Sequence, residues 1–167
     1  MPIVGYAQLG DPGDVPGEAR GSDREDMFTI IGYGSGMTRK RERQAQGDAV
    51  TGQVLTHDVT LIKYNCLASI NIMKALSLNM TFDTAKIMLS FEDEEEEVDY
   101  LTLDMNVVKV VEFSQMNDGS PDSPTRVVER VALTAESILY TYTAPKRSPK
   151  EGESLEFEHF LDPNNRP

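Results

Sequence analysis

The sequence is poor in the residues that build catalytic and metal sites. Its 167 residues include two histidines, one cysteine and no tryptophan. A single cysteine excludes an internal disulfide framework, and Cys66 is interpreted as a small packing residue. His57 and His159 are too few and too isolated for a metal site or a catalytic triad. We therefore predict no enzyme activity, no metal and no cofactor, because no pair of polar groups suggests a nucleophile and its base.

Long apolar runs are also missing, and none approaches the roughly 20 residues that a membrane-spanning helix needs. The first residues, Met1–Gly5, lack the charged start and apolar core of a signal peptide. We therefore expect synthesis in the cytoplasm, no direct insertion into a membrane, and secretion only through a dedicated machine.

Acidic residues outnumber basic ones by 28 to 16, which gives a formal net charge of −12. An acidic surface repels phosphate backbones, so nucleic acid is not an expected partner. The charge is nevertheless concentrated in two segments of opposite sign. Four bases and one acid give Arg39–Arg43 a charge of +3, and seven acids give Glu92–Asp99 a charge of −7.

Taken singly, each charged segment is typical of a solvated loop. Taken together, they suggest that the basic loop of one copy meets the acidic hairpin of the next if the protein self-associates. Such a contact would steer assembly and set register more than it would add affinity. The residues predicted at this ring or stacking interface are Arg39, Lys40, Arg41, Arg43, Glu94, Glu95 and Glu96.

Most of the remaining sequence predicts β-strands. From Tyr100 to Tyr142, apolar and polar residues largely alternate with the period of two that gives a strand two distinct faces. We expect the last two strands to pair with each other through a tight turn at Thr134–Glu136. The predicted strands are Pro2–Leu9, Met27–Ser35, a part of Ala49–Tyr64, Lys86–Phe91, Val98–Val107, Val108–Gln115, Arg126–Leu133 and Ser137–Thr143.

One helix is predicted, over Leu67–Leu78, because Ile70, Met73 and Leu76 recur at helical spacing with Ile72 widening the stripe. Ser69 is expected to cap the start of the helix, and Asn79 to end it. Antiparallel strands in such numbers tend to close and hide their edges. The predicted fold class is therefore mainly β, an antiparallel two-sheet β-barrel with one flanking α-helix.

The predicted domain boundary lies near Pro145. Residues 1–145 are expected to form the barrel domain, and residues 146–167 a polar, mobile tail. In that tail Leu155 and Phe157 alternate with acids, a pattern that could instead add a strand to an exposed sheet edge.

Several segments, in order, resemble the Hcp family, the haemolysin-coregulated tube proteins of bacterial type VI secretion. The resemblance covers Pro2–Ala144 and rests on the order and spacing of the segments rather than on one motif. The resembling segments are the early loop Asp14–Ala19, the strand Phe28–Tyr33, the strand-into-helix segment His57–Leu61 with Leu67–Leu76, the strand pair Tyr100–Val108, and the closing strands Glu129–Leu133 and Ile138–Tyr142.

This resemblance implies a six-membered ring with an open lumen. Such rings stack into a tube that a contractile sheath, built on a baseplate, expels with a spike protein at its tip. The tube carries small effector proteins in its lumen and can chaperone them. The long loop before the third strand is typically an assembly contact, which fits the position of Arg39–Arg43.

Two other interpretations stay open. The first is a related tail-tube protein of a phage-like contractile particle, which keeps the architecture and changes the role. The second is a monomeric acidic β-barrel that binds a small ligand in its interior.

Overall fold

The computed structural model describes residues 3–39, 54–93, 96–117, 119, 126–146 and 148–161. It is mainly β, with one α-helix and a short 3-10 helix at Ser22–Arg24. The strands are β1 Ile3–Leu9, β2 Phe28–Ile30, β3 Gly32–Gly34, β4 Met37–Arg39, β5 Val54–Thr56, β6 Val59–Tyr64, β7 Phe82–Asp93, β8 Glu96–Asn117, β9 Val127–Thr134, β10 Ser137–Thr143 and β11 Ser154–Phe160, and the helix α1 is Ala68–Ser77.

Two antiparallel sheets share the 22-residue strand β8. The first half of β8 pairs with β7 on one side and β10 on the other, and its second half pairs with β9. Between the halves, Val107 has a φ of +52°, a left-handed conformation that a β-branched residue rarely adopts. The sequence predicted two strands that part between Val107 and Val108, and the structure has one strand with an unusual backbone at that place.

The hydrogen-bonded order of strands is open within the described residues: β2-β1-β7-β8-β9-β6-β3. Its two end strands are consecutive in the chain and are separated only by Ile31, whose N–H donates to the carbonyl of Ile62 at 2.7 Å. The segment Phe28–Gly34 therefore divides its pairing, first with β1 and then with β6. For this reason the predicted closed barrel is not seen as a continuous ring of paired strands.

The last two predicted strands exist, but they do not pair with each other. β9 pairs with β6 and with the second half of β8, whereas β10 pairs with β11 and with the first half of β8. Ala135 and Glu136 carry the chain from one sheet to the other, and the Glu136 N–H donates to the carbonyl of Asn106 at 3.0 Å. The short connection lies where the turn was predicted, but it does not form a hairpin, because β8 offers a partner to each strand.

The tail expected to be mobile contains a strand, β11. Each of its residues pairs in register with β10, from Ser154 opposite Thr143 to Phe160 opposite Ser137. The rings of Tyr140 and Phe157 stack across the two strands with their centroids 6.4 Å apart. The alternation of apolar and acidic residues predicted a strand here as the alternative to a mobile tail, and the structure contains that strand.

Helix α1 ends at Ser77. Asn79, two residues later, has a φ of +50°, the left-handed conformation that was predicted to end the helix. Its buried face differs from the predicted stripe. Ile72 is fully buried, whereas Ile70 is 65% exposed. The Ser69 side chain does not cap the helix but lies fully buried in its first turn. Spacing alone could not separate Ile70 from Ile72, because the face that a helix buries depends on the sheet beneath it.

A buried ion pair joins this helix to the sheet. Lys63 on β6 and Glu129 on β9 form a salt bridge in which neither side chain is exposed. Ser69 accepts a hydrogen bond from Lys63 Nζ at 2.8 Å and donates one to Glu129 at 2.7 Å. Asn65 and Gln115 each donate to the second carboxylate oxygen at 2.7 Å. All the charges are therefore paired, which burial requires.

We predict that removing one of the two buried charges destabilises the protein strongly. Lys63→Met or Glu129→Gln should each lower the free energy of unfolding by about 3–5 kcal/mol, because the partner charge stays buried. The double variant should lose less than the sum. The measurement is urea unfolding of all three variants. As a control, Arg130→Met removes the exposed Arg130–Glu112 pair on the same strand and should cost under about 1 kcal/mol. Equal losses in control and core variants would contradict the prediction.

The same pair should make stability depend on pH. Burial by itself raises the pKa of Glu129, but the hydrogen bonds, that of Lys63 first, outweigh it and lower that pKa below 4.5. A carboxyl group whose pKa is lower in the folded state than in the unfolded state stabilises the fold at a pH above its pKa in the unfolded state. This stabilisation is lost as the pH falls through its pKa in the folded state. Between pH 7 and about pH 3, Glu129→Gln should therefore lose less unfolding free energy than the native chain. Parallel losses in urea titrations would refute this.

The helix offers a matched pair of substitutions. Ile72→Ala should lower the free energy of unfolding by about 2–5 kcal/mol, because it leaves a cavity in the core. Ile70→Ala, two residues away, should change it by about 0.5 kcal/mol or less, as expected for an exposed side chain. Thermal unfolding at equal protein concentration compares the two. A large loss for Ile70→Ala would show that its side chain is covered in the assembled protein.

Candidate assembly surfaces

Arg39, the first residue of the basic segment, lies at the end of an antiparallel two-stranded arm. Residues 32–39 run antiparallel to residues 54–62 through β3–β6 and β4–β5, and the His57 N–H donates to the Gly36 carbonyl at 2.9 Å between them. All three residues of β4 are exposed, including Arg39 at its end. Lys40, Arg41 and Arg43 lie outside the described residues. The structure thus places Arg39 on an exposed arm, as an assembly contact requires.

The acidic segment is the connection between β7 and β8. Asp93 and Glu96 face each other across the two strands, so Glu94 and Glu95 form the connection. Glu94 and Glu95 lie outside the described residues, and of Glu96 the backbone position alone is described. The pairing of the two strands thus agrees with a hairpin here.

Part of the acidic charge is used within the chain. Arg24 donates to Asp99 at 2.5 Å and to Ser90 at 3.4 Å, and its guanidinium lies 4.7 Å from the centre of the Tyr6 ring. Burial, followed by the nearby Glu97, raises the pKa of Tyr6 to about 12, so the phenol stays neutral. The base of the acidic hairpin is therefore fixed to the loop that carries Arg24.

Exposed apolar side chains mark two further surfaces. On β11, Leu155 is 76% exposed and Phe157, two residues away on the same face, is 52% exposed, although both belong to a paired strand. On the helix side, Leu67 and Ile70 are exposed in consecutive turns. Apolar side chains left in water at neighbouring positions are typical of interaction surfaces. In the sequence, the alternation of apolar and acidic residues predicted β11 as the alternative to a mobile tail, but it did not indicate which side chains would be exposed.

The described residues show few features of a metal or ligand site. Among them no group of histidine, cysteine or acidic side chains could hold a metal ion. His159 is engaged with Thr56 at 2.6 Å, and Cys66 packs against the core. A pocket of about 200 Å³ lies beside Tyr33 and Tyr100; ligand sites typically have 300–1,000 Å³. Within the same described part of the chain, no helix is long and apolar enough to span a bilayer.

Comparison of structures shows which known proteins share this fold. A structure described as that of a type six secretion system protein covers 95% of this chain and 96% of its own, with a TM-score of 0.82 at 15% identity. A mutant Hcp1 from E. coli EAEC 042 covers 96% and 98%, with a TM-score of 0.71 at 18% identity. Hcp1 from Salmonella typhimurium covers 96% and 95%, with a TM-score of 0.71 at 14% identity.

No curated protein matches the chain by sequence. The sequence model of one family does match, and that family is described as the type VI secretion system effector Hcp. The match spans residues 6–142, which include every element from β1 to β10 apart from the first residues of β1 and the last residue of β10. The chain therefore belongs to the Hcp family of type VI secretion proteins.

Proposed function

We propose that this protein is a structural subunit of the type VI secretion tube. Six copies form a ring with an open lumen, and the rings stack into a tube that is expelled with the spike by the contractile sheath. Effector proteins travel in the lumen. The observation that carries this proposal is the family match over residues 6–142, within which the fold is complete in its two sheets and helix.

The surfaces of the chain support a role in assembly rather than in chemistry. The described features that suit contacts between copies are an exposed arm, a hairpin between two long strands and a strand with exposed apolar side chains. Ring formation requires two different surfaces that fit each other, because a head-to-tail contact closes into a ring after a whole number of copies.

The charged segments are proposed to make the contact between stacked rings. In this arrangement Lys40, Arg41 and Arg43 of one copy face Glu94, Glu95 and Glu96 of a copy in the next ring, whereas Arg39 lies at the end of β4. Arg24 binds Asp99 at the base of the acidic hairpin and so anchors the start of β8. Exposed charges of this kind act mainly on the rate and register of association, and salt screens them.

Charge reversal tests this contact. The triple variant Lys40→Glu, Arg41→Glu and Arg43→Glu should lose the higher assemblies that the native chain forms at low salt, measured as mass by light scattering. A control with the same change in net charge reverses three exposed bases elsewhere, Arg20, Lys74 and Lys150, and should assemble normally. Unchanged assembly of the triple variant at low salt would disprove the electrostatic contact.

The native chain itself tests the proposed function. A mass near six protomers supports a ring, and a shift toward smaller species at high salt supports the charged contact. A monomer at both salt concentrations would contradict the tube subunit and favour the acidic barrel that binds a small ligand.

A further inference from the structure

Strand β11 has a free edge. It pairs with β10 on one side, and among the described residues no strand pairs with its other side. Proteins usually protect such an edge with lysine, proline, a bulge or a covering segment. Ser154–Phe160 contains no lysine or proline, and its pairing with β10 shows no shift in register. The backbone groups of the free side are therefore available to another strand.

The side chains of β11 point to a protein partner. Glu156, Glu158 and Phe160 share one face of the strand, because they lie two residues apart. Phe160 is 70% exposed on that face. A strand that fits this face carries a basic residue at one position and an apolar residue two positions away.

The described part of the same chain contains such a strand. β4 pairs only with β5, and its three residues are exposed. Met37 and Arg39 share one of its faces, two residues apart. In an antiparallel arrangement, placing Arg39 opposite Glu158 brings Met37 opposite Phe160. This register gives one opposite-charge pair and one contact between a sulfur and an aromatic ring, both of which stabilise neighbouring strands.

We propose that β11 of one copy pairs edge to edge with β4 of the adjacent copy in the ring. The inference rests on the proposed ring and names the two surfaces that form its contact. Because β11 and β4 are different edges, the contact is head-to-tail and each copy uses both edges once. The sheet then continues from one subunit into the next.

The contact between β5 and β11 within one chain does not occupy the edge of β11 that this pairing needs. Thr56 on β5 bonds to His159, whose side chain lies on the opposite face of β11 from Glu158 and Phe160. β5 therefore lies against a face of β11. The outer edge of β11 and the face that carries Phe160 are left for the neighbour.

Cross-linking of mixed copies tests the register. In a Cys66→Ser background, one tagged copy carries Met37→Cys and a second copy, with a different tag, carries Phe160→Cys. Residues directly opposite in an antiparallel pair have Cα atoms about 4.5–5.5 Å apart, which suits a disulfide. After oxidation the mixture should give disulfide-linked heterodimers, and neither variant alone should. A copy with Leu155→Cys instead of Phe160→Cys is the control, because it should not link to Met37→Cys.

The native mass of the same mixture distinguishes a failure of the β11–β4 pairing from a failure of the ring. A six-copy mass without the heterodimer overturns the β11–β4 pairing and leaves the ring intact. A monomer overturns both. Homodimers of Phe160→Cys alone would show that two β11 edges meet, which also overturns the proposal.

A charge swap gives a second readout that does not depend on cysteines. Arg39→Glu and Glu158→Arg should each raise the protein concentration needed for half assembly by about two- to five-fold. The double variant should restore it, because the pair is rebuilt with its signs exchanged. Additive losses in the double variant would overturn the pairing. Far-ultraviolet circular dichroism verifies that each variant is folded.

Discussion

The buried contact between Lys63 and Glu129 joins parts of the chain that are distant in sequence. It brings β6, β9 and the second half of β8 together with the first turn of the helix, through Ser69 and Gln115. Neither charge is exposed to water, so each depends on the other and on the neutral donors around them. The docking of α1 and the geometry of the second sheet are consequently coupled, and a surface that one of them presents to a neighbouring subunit depends on both.

Local patterns in the sequence predicted much of the fold. Strand alternation and the helix, with Asn79 after its end, are properties of a few consecutive residues, and they appear as expected. Strand partners were predicted less well because pairing joins residues far apart. β9 and β10 are neighbours in sequence, yet each pairs with a different half of β8. Likewise, the exposure of Ile70 depends on how α1 sits on the sheet, which spacing does not determine.

For the candidate surfaces too, local features could be predicted from the sequence and contacts between distant residues could not. The two charged segments are visible in the sequence because runs of charge need no partner to be recognised. The use of Asp99 by Arg24 was not visible, since 75 residues separate them. Glu129 is visible in the sequence, because it interrupts the apolar face of β9, and Lys63 interrupts that of β6. Each breaks its own alternation, and the two face each other in the register of the sheet.

A strand that belongs to two sheets also has a mechanical consequence. Two sheets that are held together by side-chain packing alone can slide over one another when force is applied. In this protein such sliding must deform the covalent backbone of β8 near Val107. Strain applied to one sheet is therefore passed to the other through peptide bonds. A subunit built in this way resists shear between its two sheets.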